Sequence, residues 1–238
     1  MPMHPDITMT WMGHATFNFV TPQGTTVMVD PWLQDNPVCP DNWKNPEKLD
    51  AILVTHGHFD HIADVVRLAQ AHTQATVVAA FETCQWFKKQ GVENTVAMNK
   101  GGTVTVAGLE ATMVHAVHSC GITDGDQMIY GGEAAGYILN FGNGFSLYHA
   151  GDTDVFTDMQ LIGELYEPDV ALLPIGGHFT MGPRQAARAC QLLGVSAVVP
   201  MHYGTFPELA GTPEELAEAL EQESPRCQVV TVEPGEDF

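Results

Sequence analysis

Within six residues, His56-Gly57-His58-Phe59-Asp60-His61, the chain places three imidazoles and a carboxylate directly behind the apolar run Ala51-Ile52-Leu53-Val54. Crowding such groups is costly unless something shared pairs with them, because they desolvate and compete with one another. A divalent metal resolves the conflict, since neutral imidazole nitrogen and carboxylate oxygen are ligands for zinc and its neighbours. In an extended segment residues i and i+2 point the same way, so His56 and His58 can hold one ion. Asp60 and His61 follow the turn of the chain and can serve a neighbouring one. The fold must therefore present the end of a buried strand to a cavity.

The rest of the chain reads as strands and helices that could build such a cavity. Strand patterns occupy 7–12, 17–20 and 25–29, and the last ends at Asp30-Pro31. A Pro/Asn/Asp-rich loop fills 34–46, and 51–54 is a buried strand by its continuous apolar run. Asp60 is expected to cap a helix from about His61 to Ala71. A strand over 76–80 and a helix over 82–90 follow. Hairpins are expected at 103–115, around Ala107-Gly108, and at 137–149, around Gly142-Asn143-Gly144. Then come a helix over 156–166, a strand over 170–173, a helix over 183–193 and a strand over 197–200. Thr212-Pro213-Glu214-Glu215 is a capping box, and 227–232 is a closing strand. Two similar αβ halves in one domain, 1–238, are expected. Each half sets polar residues behind an apolar strand: His56–His61 in the first, Asp152 and His202 in the second.

Charge restricts the partners. The 238 residues carry 29 acidic and 9 basic side chains, a net charge of -20. Such a field repels polyphosphate backbones, which argues against nucleic acid, and no polybasic membrane patch is present. The five cysteines are widely spaced and form no C-x-x-C, which reads as reduced thiols in a cytoplasmic protein. Neither a signal peptide nor an apolar run of membrane-spanning length is visible.

The stretch Thr55 through His61 resembles the signature of the metallo-β-lactamase superfamily, and the remaining pieces follow in order. Asp30 ends an early strand, His118 follows a hairpin strand, Asp152 lies in His149-Ala150-Gly151-Asp152-Thr153, and His202 lies in Pro200-Met201-His202-Tyr203-Gly204. Trp11-Met12-Gly13-His14, the loop from Pro174 to Pro183 and His202 to Pro207 are similar to the small branch of uncharacterised metal-dependent hydrolases near ascorbate-6-phosphate lactonase. The resemblance implies an α+β, four-layer αββα sandwich of two mixed sheets with helices outside. It also implies a first metal on His56, His58 and His118, a second on Asp60, His61 and His202, and Asp152 between them. Two zinc ions are expected, with manganese, nickel or iron as alternatives. Asp30 is either an outer partner of a ligand histidine or a simple strand-ending turn. His118 is preferred over His115 because it is followed by Ser119, as the family pattern expects. His14, His149 and His178 read as hydrogen-bonded structural histidines. His178, in a glycine-rich loop, is the best of them for substrate contact.

The chemistry implied is hydrolysis of a small-molecule ester, lactone or phosphoester by water activated between two metals, about 3.5–4 Å apart in such sites. Asp60 would orient the nucleophile or shuttle a proton, with His178 and Tyr203 near the substrate. Two other readings compete: an iron-dependent persulfide dioxygenase and a non-catalytic metal-binding protein. Members of this fold often self-associate, so a homo-oligomer is possible.

Overall fold

The computed structural model describes His4 and residues 6–238. The chain builds two mixed sheets in succession. In the first, β1 (Thr8–Trp11), β2 (Phe17–Val20) and β3 (Thr26–Val29) run antiparallel, and β4 (Ala51–Leu53), β5 (Thr76–Ala80) and β6 (Thr95–Met98) continue parallel to β3. Three helices belong to this half: α1 (Phe59–Ile62), α2 (Val65–Ala71) and α3 (Phe81–Lys89).

The second half repeats the plan. Strands β7 (Thr103–Val106) and β8 (Leu109–His115) form a hairpin, and β9 (Gly121–Asp124) and β10 (Gln127–Tyr130) form a separate two-stranded ribbon. Strands β11 (Ala135–Asn140) and β12 (Ser146–His149) extend the antiparallel part beside β8. Strands β13 (Val170–Pro174), β14 (Ala197–Met201) and β15 (Gln228–Val229) add the parallel part. Helices α4 (Met159–Tyr166), α5 (Pro183–Leu193) and α6 (Pro213–Glu223) accompany it.

Burial on both faces explains the continuous apolar runs. Ala51 and Leu53 of β4 face the core between the sheets, whereas Ile52 and Val54 face the layer formed by α2 and α3. Val27 and Val29 of β3 likewise point inward and Met28 outward. This period-two division over two buried faces is what strands in the middle of a layered α/β stack require. The four-layer αββα arrangement expected from the sequence is the one observed.

Differences from the sequence expectations have local causes. Asp60 does not cap a helix running from His61 to Ala71. The N-cap position is His58, Asp60 lies inside the short α1, and its carboxylate turns toward His14. The helix breaks at Asp64, whose backbone N–H donates to Pro31 O instead of the preceding turn. Its side chain accepts from Leu33 N, Gln34 N and Arg67 Nε at 2.6, 3.0 and 2.8 Å. A tie to the Pro31–Gln34 loop therefore replaces one helical turn. The ribbon β9–β10 and strand β6 carry too little apolar alternation to announce themselves. The closing strand is shorter than 227–232, because the chain leaves β14 and crosses to the first sheet. There Gly235 N and Phe238 N donate to Trp11 O and Met9 O, and Asp237 Oδ1 accepts from Thr10 Oγ1. The exposed edge of β1 is thereby covered.

No helix among the described residues is long and apolar enough to cross a membrane. The five cysteines are all free and buried.

Candidate metal centre

The parallel strands β3, β4, β12 and β14 all end at one edge of the sandwich. Asp30 follows β3, His56 to His61 follow β4, Asp152 follows β12 and His202 follows β14. His118 lies beyond the C-terminal end of β8, which runs antiparallel to β11 and hence parallel to β12. A crevice beyond the carboxyl ends of strands is where such sheets place ligands. Three of the backbone positions here are left-handed without being glycine: His14 (φ 57°), Asp30 (φ 49°) and His202 (φ 54°). Conformations of this kind are uncommon in side-chain-bearing residues and gather where groups must be aimed. Gly151, at φ 61°, has no room for a Cβ, which would meet Ala135 O at 2.7 Å and Thr55 Cβ at 2.8 Å. This close passage sets Asp152 against the β4 cluster.

The first group consists of His56, His58 and His118. His56 Nε2 is 3.0 Å from His58 Nδ1, which is 3.3 Å from His118 Nε2. Ligands on tetrahedral zinc, with bonds of about 2.0–2.1 Å, are separated by about 3.3 Å. Hydrogen bonding fixes the tautomer of His56. The Thr55 hydroxyl donates to Asp30 Oδ2 at 2.6 Å, so it must accept from His56 Nδ1–H at 3.0 Å, which leaves Nε2 with its lone pair inward. On the far side of His58, Nε2 meets Ser119 Oγ at 3.2 Å.

The second group consists of Asp60, His61 and His202, together with His14. His61 Nδ1–H donates to Asp30 Oδ2 at 2.8 Å, and Nε2 points into the site. His14 Nε2 lies 2.9 Å from Asp60 Oδ2, and its Nδ1 lies 3.1 Å from Thr205 Oγ1. The carbonyl of His14 accepts from His202 N at 3.0 Å and Trp11 Nε1 at 2.9 Å. Asp152 stands between the groups: its Oδ2 is 3.0 Å from His202 Nε2, 3.4 Å from His61 Nε2, 3.6 Å from His118 Nε2 and 3.9 Å from His56 Nε2.

These residues fit a metal. His61 Nε2, His202 Nε2 and Asp152 Oδ1 are buried and have no aligned hydrogen-bond partner. His202 Nε2 is close enough to Asp152 for a bond, yet the geometry is wrong for one. Buried polar atoms are nearly always paired, so two orphaned imidazole nitrogens that face the same aspartate, itself with an orphaned oxygen, indicate a shared partner of another kind.

Charge divides the two groups. Burial, followed by the charge of His61 for His56 and His58 and of His58 for His118, lowers the pKa values of these three, so they favour the neutral, ligating form. Burial also works to lower His61 and His202, but the facing carboxylates prevail. Asp152 and Asp30 raise His61 well above its usual range, and Asp152 with Asp60 raises His202 to about 9. Against their own burial, Asp60 and Asp152 are held ionised by His61, His202 and, for Asp60, His14. His14 is lowered to about 4 by burial and by the charge of His202.

All seven expected ligand residues thus meet at one edge, and Asp30 is both a strand-ending turn and the partner of His61. His115 stays outside, exposed and 3.0 Å from Lys100 Nζ. His149 is structural: Nε2–H donates to Ala15 O, and Nδ1 accepts from Gly151 N. His178 is exposed, with its ring against Phe179; among the described residues no hydrogen bond joins it to the cluster. His14, read from sequence as a structural histidine, is part of the site. The only available signal was its place behind Gly13 at the end of a strand, in the motif Trp11-Met12-Gly13-His14.

The family model for the beta-lactamase superfamily domain matches residues 25–203. A metal-dependent hydrolase of Koribacter versatilis is 54% identical over 230 residues, covering 97% of each chain. One from Chloroflexus aurantiacus is 52% identical over 235 residues, covering 97% of this chain and 96% of its own. Among solved structures, Igni18, a metallo hydrolase from Ignicoccus hospitalis, superposes with a TM-score of 0.83 at 36% identity, covering 98% of this chain and 97% of its own.

Proposed function

Because the chain belongs to the beta-lactamase superfamily, and within it to the UPF0173 metal-dependent hydrolases, we propose that it cleaves an ester, lactone or phosphoester bond in a small molecule with two divalent metals. In this reading His56, His58 and His118 hold the first ion, Asp60, His61 and His202 the second, and Asp152 both. Zinc suits the nitrogen and oxygen donors, as do manganese, nickel and iron. Such a pair, when bound, supplies polarisation of the scissile group and acidification of water.

The protein's own groups do the rest. His58, Asp60 and His118 are the accessible members of the cluster: His58 is half-buried and the side chains of Asp60 and His118 are each 13% exposed, against 3% or less for His56, His61, Asp152 and His202. Substrate therefore enters over His58, Asp60 and His118. Asp60 is held through one oxygen by His14, which leaves its other oxygen to accept a hydrogen bond from the attacking water and orient it. Asp30 fixes the rings of His56, through Thr55, and His61. His178 is exposed and Tyr203 is half-buried with its ring stacked on Trp11, so in this reading they contact the substrate rather than the reacting bond.

The observation that carries this reading is the pair of adjacent histidine–carboxylate groups whose buried ligand atoms include orphans. It is tested by elemental mass spectrometry of the purified protein and of His58→Ala, with turnover measured on a panel of esters, lactones and phosphodiesters. About two equivalents of metal, reduced in the variant together with turnover, are expected. Full turnover in a folded, metal-poor protein would overturn the reading. One equivalent of iron with oxygen uptake would replace it by the dioxygenase.

A further inference from the structure

The rim of the opening is apolar to a degree that the cluster itself does not require. Phe59 stands between His58 and Asp60 at the first position of α1 and is 58% exposed. Trp32 supports it from below at 5.8 Å between ring centroids, nearly perpendicular, and Phe206 stacks on the other side of Trp32 at 5.6 Å. Phe206 also touches the edge of His14, so this aromatic wall runs directly alongside Asp60. Val117 immediately precedes His118 and is exposed. Phe179, 55% exposed, rides on a loop that Met181 N ties to Thr153 O, next to Asp152. Large apolar side chains left in water forgo the stabilisation of burial, and a group of them beside the candidate ligands marks a surface that something covers.

Five of the chain's nine cations pair with carboxylates outside the cluster: Lys44, Lys48, Arg67, Lys100 and Arg188 with Asp41, Asp50, Asp64, Glu133 and Glu223. Among the described residues no lysine or arginine forms a hydrogen bond or ion pair with the histidine–aspartate cluster. A phosphoryl or sulfate group on a substrate is ordinarily met by such side chains, arginine above all, and this chain's net charge of -20 repels anions further.

We infer that the site takes a neutral carboxylic ester or lactone bearing an aliphatic or aromatic substituent, which lies on Phe59 and Phe206 against Trp32. The inference rests on the hydrolytic reading of the centre and narrows it to carboxylic substrates that carry an apolar substituent.

The test uses the metal-loaded protein and a series of γ-lactones whose side chain grows from methyl to pentyl, each also as the matching lactam, which resists cleavage. A methylene buried on the wall is worth a factor of about four (about 0.8 kcal/mol). The pentyl lactone should therefore exceed the methyl lactone in kcat/KM by at least about tenfold, and lactam binding by calorimetry should follow the same order. Phe59→Ser, at a position more than half exposed, should keep fold and metal content while compressing both ratios below about threefold. Flat ratios in the unaltered protein would overturn the inference and leave the hydrolase standing. So would a phosphorylated lactone turned over faster than its hydroxyl counterpart, or a dimer of the chain that Phe59→Ser dissolves. If no lactone is cleaved but lactams bind in the expected order, the bond type in the proposed function fails and the apolar wall stands.

Discussion

The two halves of the centre should load metal with different proton economies. Histidine ligates only through a lone pair, so an imidazole that is protonated in the empty site must first release a proton. His202 has its pKa raised to about 9, so at pH 7 only about 1% of it is neutral. Two pH units at about 1.36 kcal/mol each make roughly 2.7 kcal/mol, or about 100-fold in affinity, lost at pH 7 relative to pH above 9. His61, raised as well, holds a second proton. His56, His58 and His118 are lowered instead and impose no such penalty near neutrality. The sign is therefore that affinity for the Asp60–His61–His202 group climbs with pH toward 9, while that for the other group stays level. A metal already in the first group takes part of the charge of Asp152 and trims the hundredfold. Calorimetric titration of metal-free protein, in buffers of different ionisation heat between pH 6.5 and 9, measures the protons released. The first equivalent should release almost none, and the second between one and two near pH 7. Equal release at both steps, or a second step tighter at pH 6.5 than at pH 9, would refute the division.

Three further outcomes follow from particular contacts. His14→Asn, which tolerates the left-handed backbone, should weaken retention of the second metal about 10- to 100-fold and spare the first, read by metal content after dialysis against a weak chelator. Asp30→Ala removes a buried carboxylate that accepts from Thr55 N, Thr55 Oγ1 and His61 Nδ1, so unfolding in denaturant should show a loss of about 3–5 kcal/mol. Gly163→Ala would raise the stability of an exposed helix, but here the new Cβ meets the Leu193 carbonyl. Stability should fall by about 1–3 kcal/mol with metal content unchanged, and a gain would show that α4 shifts freely on α5.

Much of this was legible because the signals were local. Val77 to Ala80, Pro183 to Leu193 and the Thr212–Glu215 box state their structure through apolar runs, helical periodicity and a cap that closes on itself. His56 to His61 state theirs through spacing alone. What stayed hidden depends on partners distant in sequence. His14 looks structural until Asp60, 46 residues away, and Thr205, 191 away, are folded against it. The break at Asp64 comes from a loop some thirty residues earlier that no helical periodicity could announce. The ribbon β9–β10 leaves Met128 and Tyr130 in solvent, so it lacks the alternation by which a half-buried strand is recognised.

Asp30 Oδ2 accepts both the Thr55 hydroxyl, which orients His56, and the His61 ring. One oxygen atom thereby sets a histidine in each group, and any change to it reaches both sites at once. Anyone retuning this centre toward another metal has no separate control there. The independent handles are Ser119, which touches only His58, and His14, which touches Asp60 and His202. Selection acting on metal preference faces the same wiring: coordinated change through Asp30, and one-sided change only through residues that flank it.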